Sequence, residues 1–113
     1  MSRLFRRSED IEAARAAELI KHGATVIDVR EPHEWQAGHI PGALHIPLSE
    51  LATRVDELPH DATLIAVCRS GGRSARATTY LSKAGYHVEN LHGGMKAWAK
   101  AGQPLEPLTG HVA

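Results

Sequence analysis

Residues 63–81, TLIAVCRSGGRSARATTYL, decide the fold of this chain. The segment begins with an apolar run over residues 63–67, which predicts a buried strand. It continues through a loop with two glycines that opens at Cys68, and residues 74–81 then predict a helix. A strand, a tight loop and a helix in this order place Cys68 at the carboxyl edge of a parallel sheet, where open α/β proteins bind their ligands.

The rest of the chain repeats this alternation of helices and strands. Apolar residues spaced for one helix face, beginning at Ala13, predict an N-terminal helix that Gly23 ends. Residues 25–29 lack polar and apolar alternation and therefore predict a strand that is covered on both faces. Three further strands are predicted, a short first strand near Ile11, one over residues 43–46 and one over residues 87–91. A turn or short helix is predicted from Pro32, and a helix capped by Ser49 is predicted to bury Leu51, Val55 and Leu58. A last helix after Gly93-Gly94 is predicted to bury Met95, Trp98 and Ala99. The helix after the cysteine loop is predicted to bury Ala77, Leu81 and Ala84.

Strands that alternate with helices predict an α/β fold with three layers, α/β/α, around a mainly parallel central sheet of about five strands. A chain of 113 residues is long enough for one domain with a real core. We expect a leader over residues 1–10, the domain over residues 11–106 and a C-terminal tail over residues 107–113.

Composition and charge exclude several classes of function. Thirteen basic and thirteen acidic side chains cancel, so the chain has no general electrostatic attraction for nucleic acid or acidic lipid. No apolar stretch approaches the roughly 20 residues of a membrane span, and the first residues lack the apolar segment of a signal peptide. Cys68 is the only cysteine, which excludes an internal disulfide and is typical of a reducing compartment. We expect a cytoplasmic protein and a monomer.

The loop after the strand combines several features that favour a thiolate. Gly71 and Gly72 let the backbone curl so that N–H groups point inward and form an anion-binding nest. The positive end of the following helix dipole faces the same place, and Arg69 and Arg73 add two permanent charges. These features are expected to lower the pKa of Cys68 and to bind an anion, such as an oxyanion of sulfur or phosphorus. The alternative is a small buried cysteine beside a plain turn, with both arginines in water.

Three separated motifs resemble those of the rhodanese family of sulfurtransferases. CRSGGR at residues 68–73 is similar to that family's active-site loop. VIDVREPHEW at residues 26–35 and GHIPGA at residues 38–43 are similar to its first signature region, and GGMKAW at residues 93–98 is similar to its closing motif. The motifs follow the family's order, and the resemblance extends over nearly the whole chain.

The resemblance implies a mechanism. In rhodaneses the cysteine attacks the outer sulfur of thiosulfate, releases sulfite and passes the sulfur of its persulfide to cyanide or to a thiol. Cys68 would be the nucleophile and persulfide carrier here, and the N–H groups of residues 69–73, which include Ser70, Gly71 and Gly72, would hold the terminal sulfur. Arg69 and Arg73 match positions that attract the sulfonate end of thiosulfate. The implied partners are thiosulfate, cyanide and thiol or protein sulfur acceptors, with no metal and no organic cofactor.

Asp28, Arg30 and Ser74 are expected to support the site. Asp28 ends an apolar strand, where a buried carboxylate needs a partner in the backbone or in an arginine near the loop. Two roles stay open for Arg30, a salt bridge that braces the loop or a direct contact with substrate. Trp35 is expected in the core or in the wall of the pocket, and Trp98 in the core.

Two other functions stay open. Phosphatases and arsenate-reductase-like enzymes also place a thiolate in a loop before a helix, but their pattern has an arginine at the position that Ser74 occupies here. Arg73 lies one position too early, and a loop shorter by one residue forms a tighter cradle that suits sulfur better than phosphate. The other alternative is a non-catalytic binding or regulatory module, against which the intact cysteine loop argues.

The histidines do not have the spacing of a metal site. None of the eight belongs to a His-Glu-x-x-His pair or joins a Cys-x-x-Cys motif. His33, His39 and His45 lie near predicted turns, and we expect them to fix loops through hydrogen bonds.

Overall fold

The computed structural model of the protein describes residues 10–113. Its elements are β1 (Asp10–Ile11), α1 (Ala13–Lys21), β2 (Thr25–Asp28), α2 (Pro32–Ala37), β3 (Leu44–His45), a 3₁₀ turn (Leu48–Glu50), α3 (Leu51–Arg54), a second 3₁₀ turn (Val55–Glu57), β4 (Leu64–Val67), α4 (Gly72–Lys83), β5 (Val88–Leu91) and α5 (Gly94–Lys100). The strands form one sheet in the order β1-β5-β4-β2-β3, and all neighbours are parallel. The predicted α/β class and its parallel sheet are therefore confirmed.

The central strand β4 is buried on both faces and divides the core into two clusters. Leu64 and Ala66 belong to the cluster that contains residues of α3 and α4, whereas Ile65 and Val67 belong to the cluster that contains residues of α1 and α5. Successive side chains of a strand point to opposite faces of the sheet. One short apolar run therefore packs against helices on both sides and produces the three layers.

The carboxyl ends of β2 and β4 lie side by side. Asp28 is in register with Val67, and the Val29 N–H donates to the Val67 carbonyl at 3.0 Å. On the other side of β4, Asn90 of β5 is in register with Ala66. The segments that follow these strands leave the sheet at one edge, which brings the first signature region next to the cysteine loop.

Pro32 begins α2, as the sequence predicts, and a capping box holds the first turn of this helix. The Glu31 side chain accepts the backbone N–H of Glu34, and the Glu34 carboxylate accepts the Glu31 N–H at 2.9 Å. The box satisfies backbone donors that the start of a helix leaves without partners. It also fixes the position of the Glu34 carboxylate.

Some local predictions were wrong at the ends of elements. Ser49 caps no helix, because it lies inside the first 3₁₀ turn and its backbone is already helical there. Leu51 and Leu58 are buried nevertheless, so the apolar spacing was informative although the helix is broken. Ala84 and Ala99 are exposed rather than buried, since both lie at the ends of their helices.

Residues 107–113, which the sequence predicts to be a tail, contact the domain. His39 and Glu106 exchange two backbone hydrogen bonds, at 3.1 and 2.8 Å, just before this segment. Within it, the His111 N–H donates to the Ala37 carbonyl at 2.9 Å, and Val112 packs against the cluster that contains α1 and α5. The segment therefore lies along the domain beside the end of α2.

The predicted leader, residues 1–10, falls outside the described residues except for Asp10. Asp10 and Ile11 form β1 and pair with β5, which confirms the short strand predicted near Ile11. Across residues 10–113, no helix has the length and apolar character needed to cross a membrane.

Candidate active site

Cys68 directly follows β4 and opens the loop that leads into α4. Its Sγ accepts hydrogen bonds from the Gly71 N–H at 3.1 Å and from the Ser74 hydroxyl at 3.3 Å. Gly71 is the N-cap of α4 with a φ of 113°, a left-handed conformation that glycine adopts without strain. Because α4 begins at Gly72 and not at Ser74 as predicted, Ser74 lies in the first turn of the helix, with its hydroxyl within reach of the sulfur.

The pKa of the Cys68 thiol is lowered by a balance of opposing effects. Burial opposes ionisation and raises the pKa, since only 1% of the residue is exposed. The Ser74 hydroxyl and the N–H groups of Ser74, Gly71 and Ser70 lower it, because each donates to the charged sulfur, and together they outweigh burial. The pKa of Cys68 is therefore lowered, as predicted, but the causes are neutral donors rather than the two loop arginines.

The first turn of α5 holds the cysteine loop in place. The N–H groups of Met95 and Lys96 donate to the carbonyl oxygens of Cys68 and Arg69, at 2.8 and 3.0 Å. In a trans peptide the C=O and N–H point in opposite directions, so fixing the Arg69 carbonyl turns the next N–H away from α5. A Cβ on Gly94 would overlap the Cys68 carbonyl and lie 2.6 Å from the Arg69 carbonyl oxygen. The closing motif therefore braces the loop in addition to turning the chain.

Arg73 is paired with a carboxylate that the sequence pattern does not reveal as a site residue. Its Nη1 and Nη2 donate to Oε1 and Oε2 of Glu34, both at 2.8 Å. Arg73 is the largest influence on the pKa of Glu34, which it lowers to about 2 against the opposing effect of burial. The pKa of Arg73 is raised, mainly by Glu34 and to a smaller extent by the charge of Cys68, so the guanidinium is within electrostatic range of the sulfur.

Arg69 also has a partner within the chain. Its Nε donates to the main-chain carbonyl oxygen of Ala113 at 2.9 Å. The sequence places two permanent charges in the loop, and the tertiary structure gives each of them an acceptor. Their role in attracting a sulfonate stays a prediction.

Asp28 and Arg30 form a salt bridge in which neither side chain has exposed surface. The Arg30 Nη2 donates to Asp28 Oδ2 at 2.7 Å, and Nε donates to Oδ1 at 2.9 Å. The guanidinium also donates to the Gly38 carbonyl at 2.8 Å. Because these hydrogen bonds tie the guanidinium to Asp28 and to the Gly38 backbone, the structure favours the bracing salt bridge of the two roles open for Arg30. Asp28 contacts an arginine, as predicted.

Trp35 and two histidines form a stack near this salt bridge. The ring centroid of Trp35 lies 3.5 Å from that of His39 and 4.8 Å from that of His45, with planes within 7° of parallel. His39 Nδ1 contacts the Trp35 carbonyl, and His45 Nε2 contacts the Arg30 carbonyl, both at 2.8 Å. These two histidines fix backbone groups as predicted, and Trp35 is half-buried rather than in the core. Trp98 is buried, which confirms its assignment to the core.

Asn90 on β5 is a second residue that the sequence pattern does not reveal. Its Nδ2 donates to the Gly71 carbonyl at 3.3 Å and to the Asp10 carboxylate at 3.0 Å. The side chain is buried and connects the edge strand β1 to the N-cap of α4. The only local signal was a polar residue inside a short strand that also contains Glu89, which does not by itself identify a contact with the cysteine loop.

Comparisons with known proteins agree with the three motifs. The family model described as rhodanese-like domain matches residues 12–101. A protein of Allochromatium vinosum named sulfurtransferase is 43% identical over 81 residues, which cover 71% of this chain and 76% of that protein. The HTH-type transcriptional regulator Rv0324 of Mycobacterium tuberculosis is 40% identical over 101 residues. That match covers 84% of this chain but 45% of the regulator, so the chain spans less than half of that protein's length.

Solved structures show the same relationship. The crystal structure of a rhodanese-related protein from Thermoplasma volcanium has a TM-score of 0.82 and 39% sequence identity. The superposition covers 88% of this chain and 97% of that one. Both the sequence motifs and the arrangement of strands and helices are therefore shared, and the chain belongs to the rhodanese-like domain family, which includes sulfurtransferases.

Proposed function

We propose that the protein is a sulfurtransferase in which Cys68 carries sulfane sulfur as a persulfide. The observation that carries this proposal is the environment of the Cys68 Sγ, which accepts hydrogen bonds from Gly71 N–H and the Ser74 hydroxyl and has a lowered pKa. The thiolate is the nucleophilic form of cysteine. A thiolate held by fixed donors at the edge of a sheet is suited to attack on an incoming sulfur atom.

Thiosulfate, or another persulfide donor, would load the enzyme by one displacement. The Cys68 thiolate forms a bond to the outer sulfur of thiosulfate, and the sulfur–sulfur bond of thiosulfate breaks. The bonding electron pair leaves with sulfite, and Cys68 becomes a persulfide anion, so that charge and atoms balance. Attack by cyanide on the terminal sulfur then yields thiocyanate and restores the thiolate, and a small thiol or a protein thiol would accept the sulfur in the same way.

The cysteine loop would stabilise the negative charge in both steps. The N–H groups of Ser70, Gly71 and Ser74 and the Ser74 hydroxyl already lower the pKa of Cys68 and would donate to the terminal sulfur of the persulfide. Donors that are fixed before the reaction need no reorganisation as the charge moves from one sulfur to the next. We also propose that the protein works as a monomer in the cytoplasm, where reduced thiols persist as acceptors.

Mass spectrometry of the intact protein tests this function. Incubation with excess thiosulfate should add the mass of one sulfur atom to the wild type, and treatment with a thiol reductant should remove it. Cys68→Ser should gain no mass, because Cys68 is the only cysteine. A wild-type protein whose mass stays unchanged under donor excess would overturn the proposal.

An aryl phosphate provides the control for phosphatase chemistry. The cysteine loop has Ser74 where phosphatases have arginine, so we expect no hydrolysis. Hydrolysis that depends on Cys68 would instead favour the phosphatase alternative.

A further inference from the structure

The pairing of Arg73 with Glu34 changes the charge that a sulfur donor meets at Cys68. Both Nη atoms of Arg73 donate to the Glu34 carboxylate at 2.8 Å, and the Glu34 side chain is 8% exposed. Bidentate pairs of this kind are among the stronger interactions between charged side chains. A sulfonate that approaches Arg73 therefore competes with a carboxylate of the same chain.

The charges of the cysteine loop and of its partner Glu34 cancel, and Glu31 adds a further negative charge that acts on Arg73. Arg69 and Arg73 carry one positive charge each, whereas ionised Glu34 and the Cys68 thiolate carry one negative charge each. The whole chain adds no long-range attraction, because its thirteen basic and thirteen acidic side chains balance. The thiolate itself is stabilised mainly by a hydroxyl and by backbone N–H groups, which carry no net charge.

We infer that Glu34 is a specificity-determining residue that makes the site favour sulfur donors with at most one negative charge over the dianion thiosulfate. The inference rests on the proposed function and narrows its donor class to compounds such as thiosulfonates and the persulfides of thiols. Glu34 acts by cancelling the positive charge of Arg73, which lies within electrostatic range of the Cys68 sulfur. Since the Coulomb energy scales with the charge of the ligand, cancelling one positive charge costs a dianion twice what it costs a monoanion.

An aromatic thiosulfonate is the monoanionic probe for this inference. Its terminal sulfur is transferred to the Cys68 thiolate while the bond to the sulfonyl sulfur breaks and an aromatic sulfinate leaves with the electron pair. One negative charge arrives with the donor and one leaves with the sulfinate, so the step balances as it does with thiosulfate. The two donors thus form the same Cys68 persulfide and differ chiefly in charge.

Glu34→Gln is the variant that tests the inference. Glutamine keeps an oxygen that accepts the Glu31 N–H of the capping box but has no charge to cancel that of Arg73. At low ionic strength, we expect the second-order rate constant of persulfide formation to rise about tenfold for thiosulfate and about threefold for the thiosulfonate. Equal factors for the two donors, or no increase for thiosulfate, would overturn the inference.

Two further variants separate charge from structure. Glu34→Asp keeps the negative charge with a shorter side chain, so the ratio of the two rate constants should stay near that of the wild type. Glu57→Gln removes a different carboxylate, which is paired with Arg54 at 2.9 Å on the surface, and should change neither rate constant. A donor ratio altered as much by either of these variants as by Glu34→Gln would contradict the assignment.

The wild-type protein provides a test that does not depend on any variant folding. If the charges beside Cys68 cancel, its rate constant with thiosulfate should change by less than about twofold between ionic strengths of about 0.01 and 0.15 M. A fall of about tenfold would mean that the positive charge of the arginines is uncompensated, and the inference would be wrong. Failure of both donors to form any persulfide would instead refute the proposed function, so the two failures are distinguishable.

Discussion

Replacement of Ser74 by alanine tests how the structure lowers the pKa of Cys68. The Ser74 hydroxyl lies 3.3 Å from both the Cys68 Sγ and the Gly71 carbonyl oxygen, and a negative charge on the sulfur draws its one proton to Cys68. The Ser74 side chain has no exposed surface, so water does not replace the lost donor. Hydrogen bonds to charged groups contribute about 1.5–3 kcal/mol, and this long contact to sulfur belongs at the lower end. A loss of about 1.4 kcal/mol reduces the ratio of thiolate to thiol roughly tenfold at a given pH.

The direction of the change follows from the physical cause. Removing a donor that stabilises the charged form raises the pKa of Cys68, so the titration of the Ser74→Ala protein should shift to higher pH. Ultraviolet absorbance of the thiolate, with Cys68→Ser as the blank, measures this ionisation directly. Alkylation rates are a weaker measure, because the nucleophilicity of a thiolate increases with its pKa and partly compensates for the smaller thiolate fraction.

Ser70→Ala is the matched control for this measurement. Ser70 lies in the same loop and lowers the pKa of Cys68 through its backbone N–H, which alanine keeps. Its titration should therefore coincide with that of the wild type. If the pKa of Cys68 in Ser74→Ala equals that of the wild type while the circular dichroism spectrum is unchanged, then the hydroxyl does not stabilise the thiolate and the reasoning is wrong.

Three further perturbations test the supporting structure. Arg30→Ala should destabilise the protein by about 3–5 kcal/mol in urea unfolding, because it leaves a buried carboxylate without its partner. Arg54→Ala, which breaks an exposed pair, should cost much less, and equal losses would contradict the argument from burial. Gly94→Ala should slow persulfide formation, since its Cβ would displace the carbonyls that orient the cysteine loop, and wild-type rates would show that the loop tolerates the overlap. Glu34 has a pKa lowered from 4.5 to about 2, so its contribution is present above pH 4.5 and is lost as the pH falls toward 2. The wild type should therefore lose about 1–3 kcal/mol more stability than Glu34→Gln over that range, and parallel acid unfolding curves would refute this.

The elements that the sequence predicts correctly are determined by residues that lie close together in the chain. The apolar run before Cys68 predicts β4, and the period of two along that strand accounts for the layers on both sides. Pro32 predicts the start of α2 because its fixed φ is suited to the first turn of a helix. The N-cap expected at Ser49 is wrong although a helix begins at Leu51, since capping depends on a backbone conformation that the residue type alone does not determine.

Several contacts of the candidate site join residues that are far apart in the chain. Glu34 and Arg73 are separated by 39 residues, and Arg69 and Ala113 by 44. Glu34 belongs to the capping box of α2, and nothing near it in the sequence indicates a second partner. The contribution of α5, whose first N–H groups hold the loop carbonyls, is hidden for the same reason.

The sequence by itself determined the α/β class, the family motifs and the candidate for the reactive residue. These follow from local causes: the burial of an apolar strand, the conformational freedom of glycine and the placement of Cys68 between a strand and a helix. The tertiary structure alone decided the charge and the hydrogen bonds around the sulfur. Parallel strands bring distant segments to one edge of the sheet, and only there do Ser74 and the loop N–H groups surround Cys68 while Glu34 pairs with Arg73.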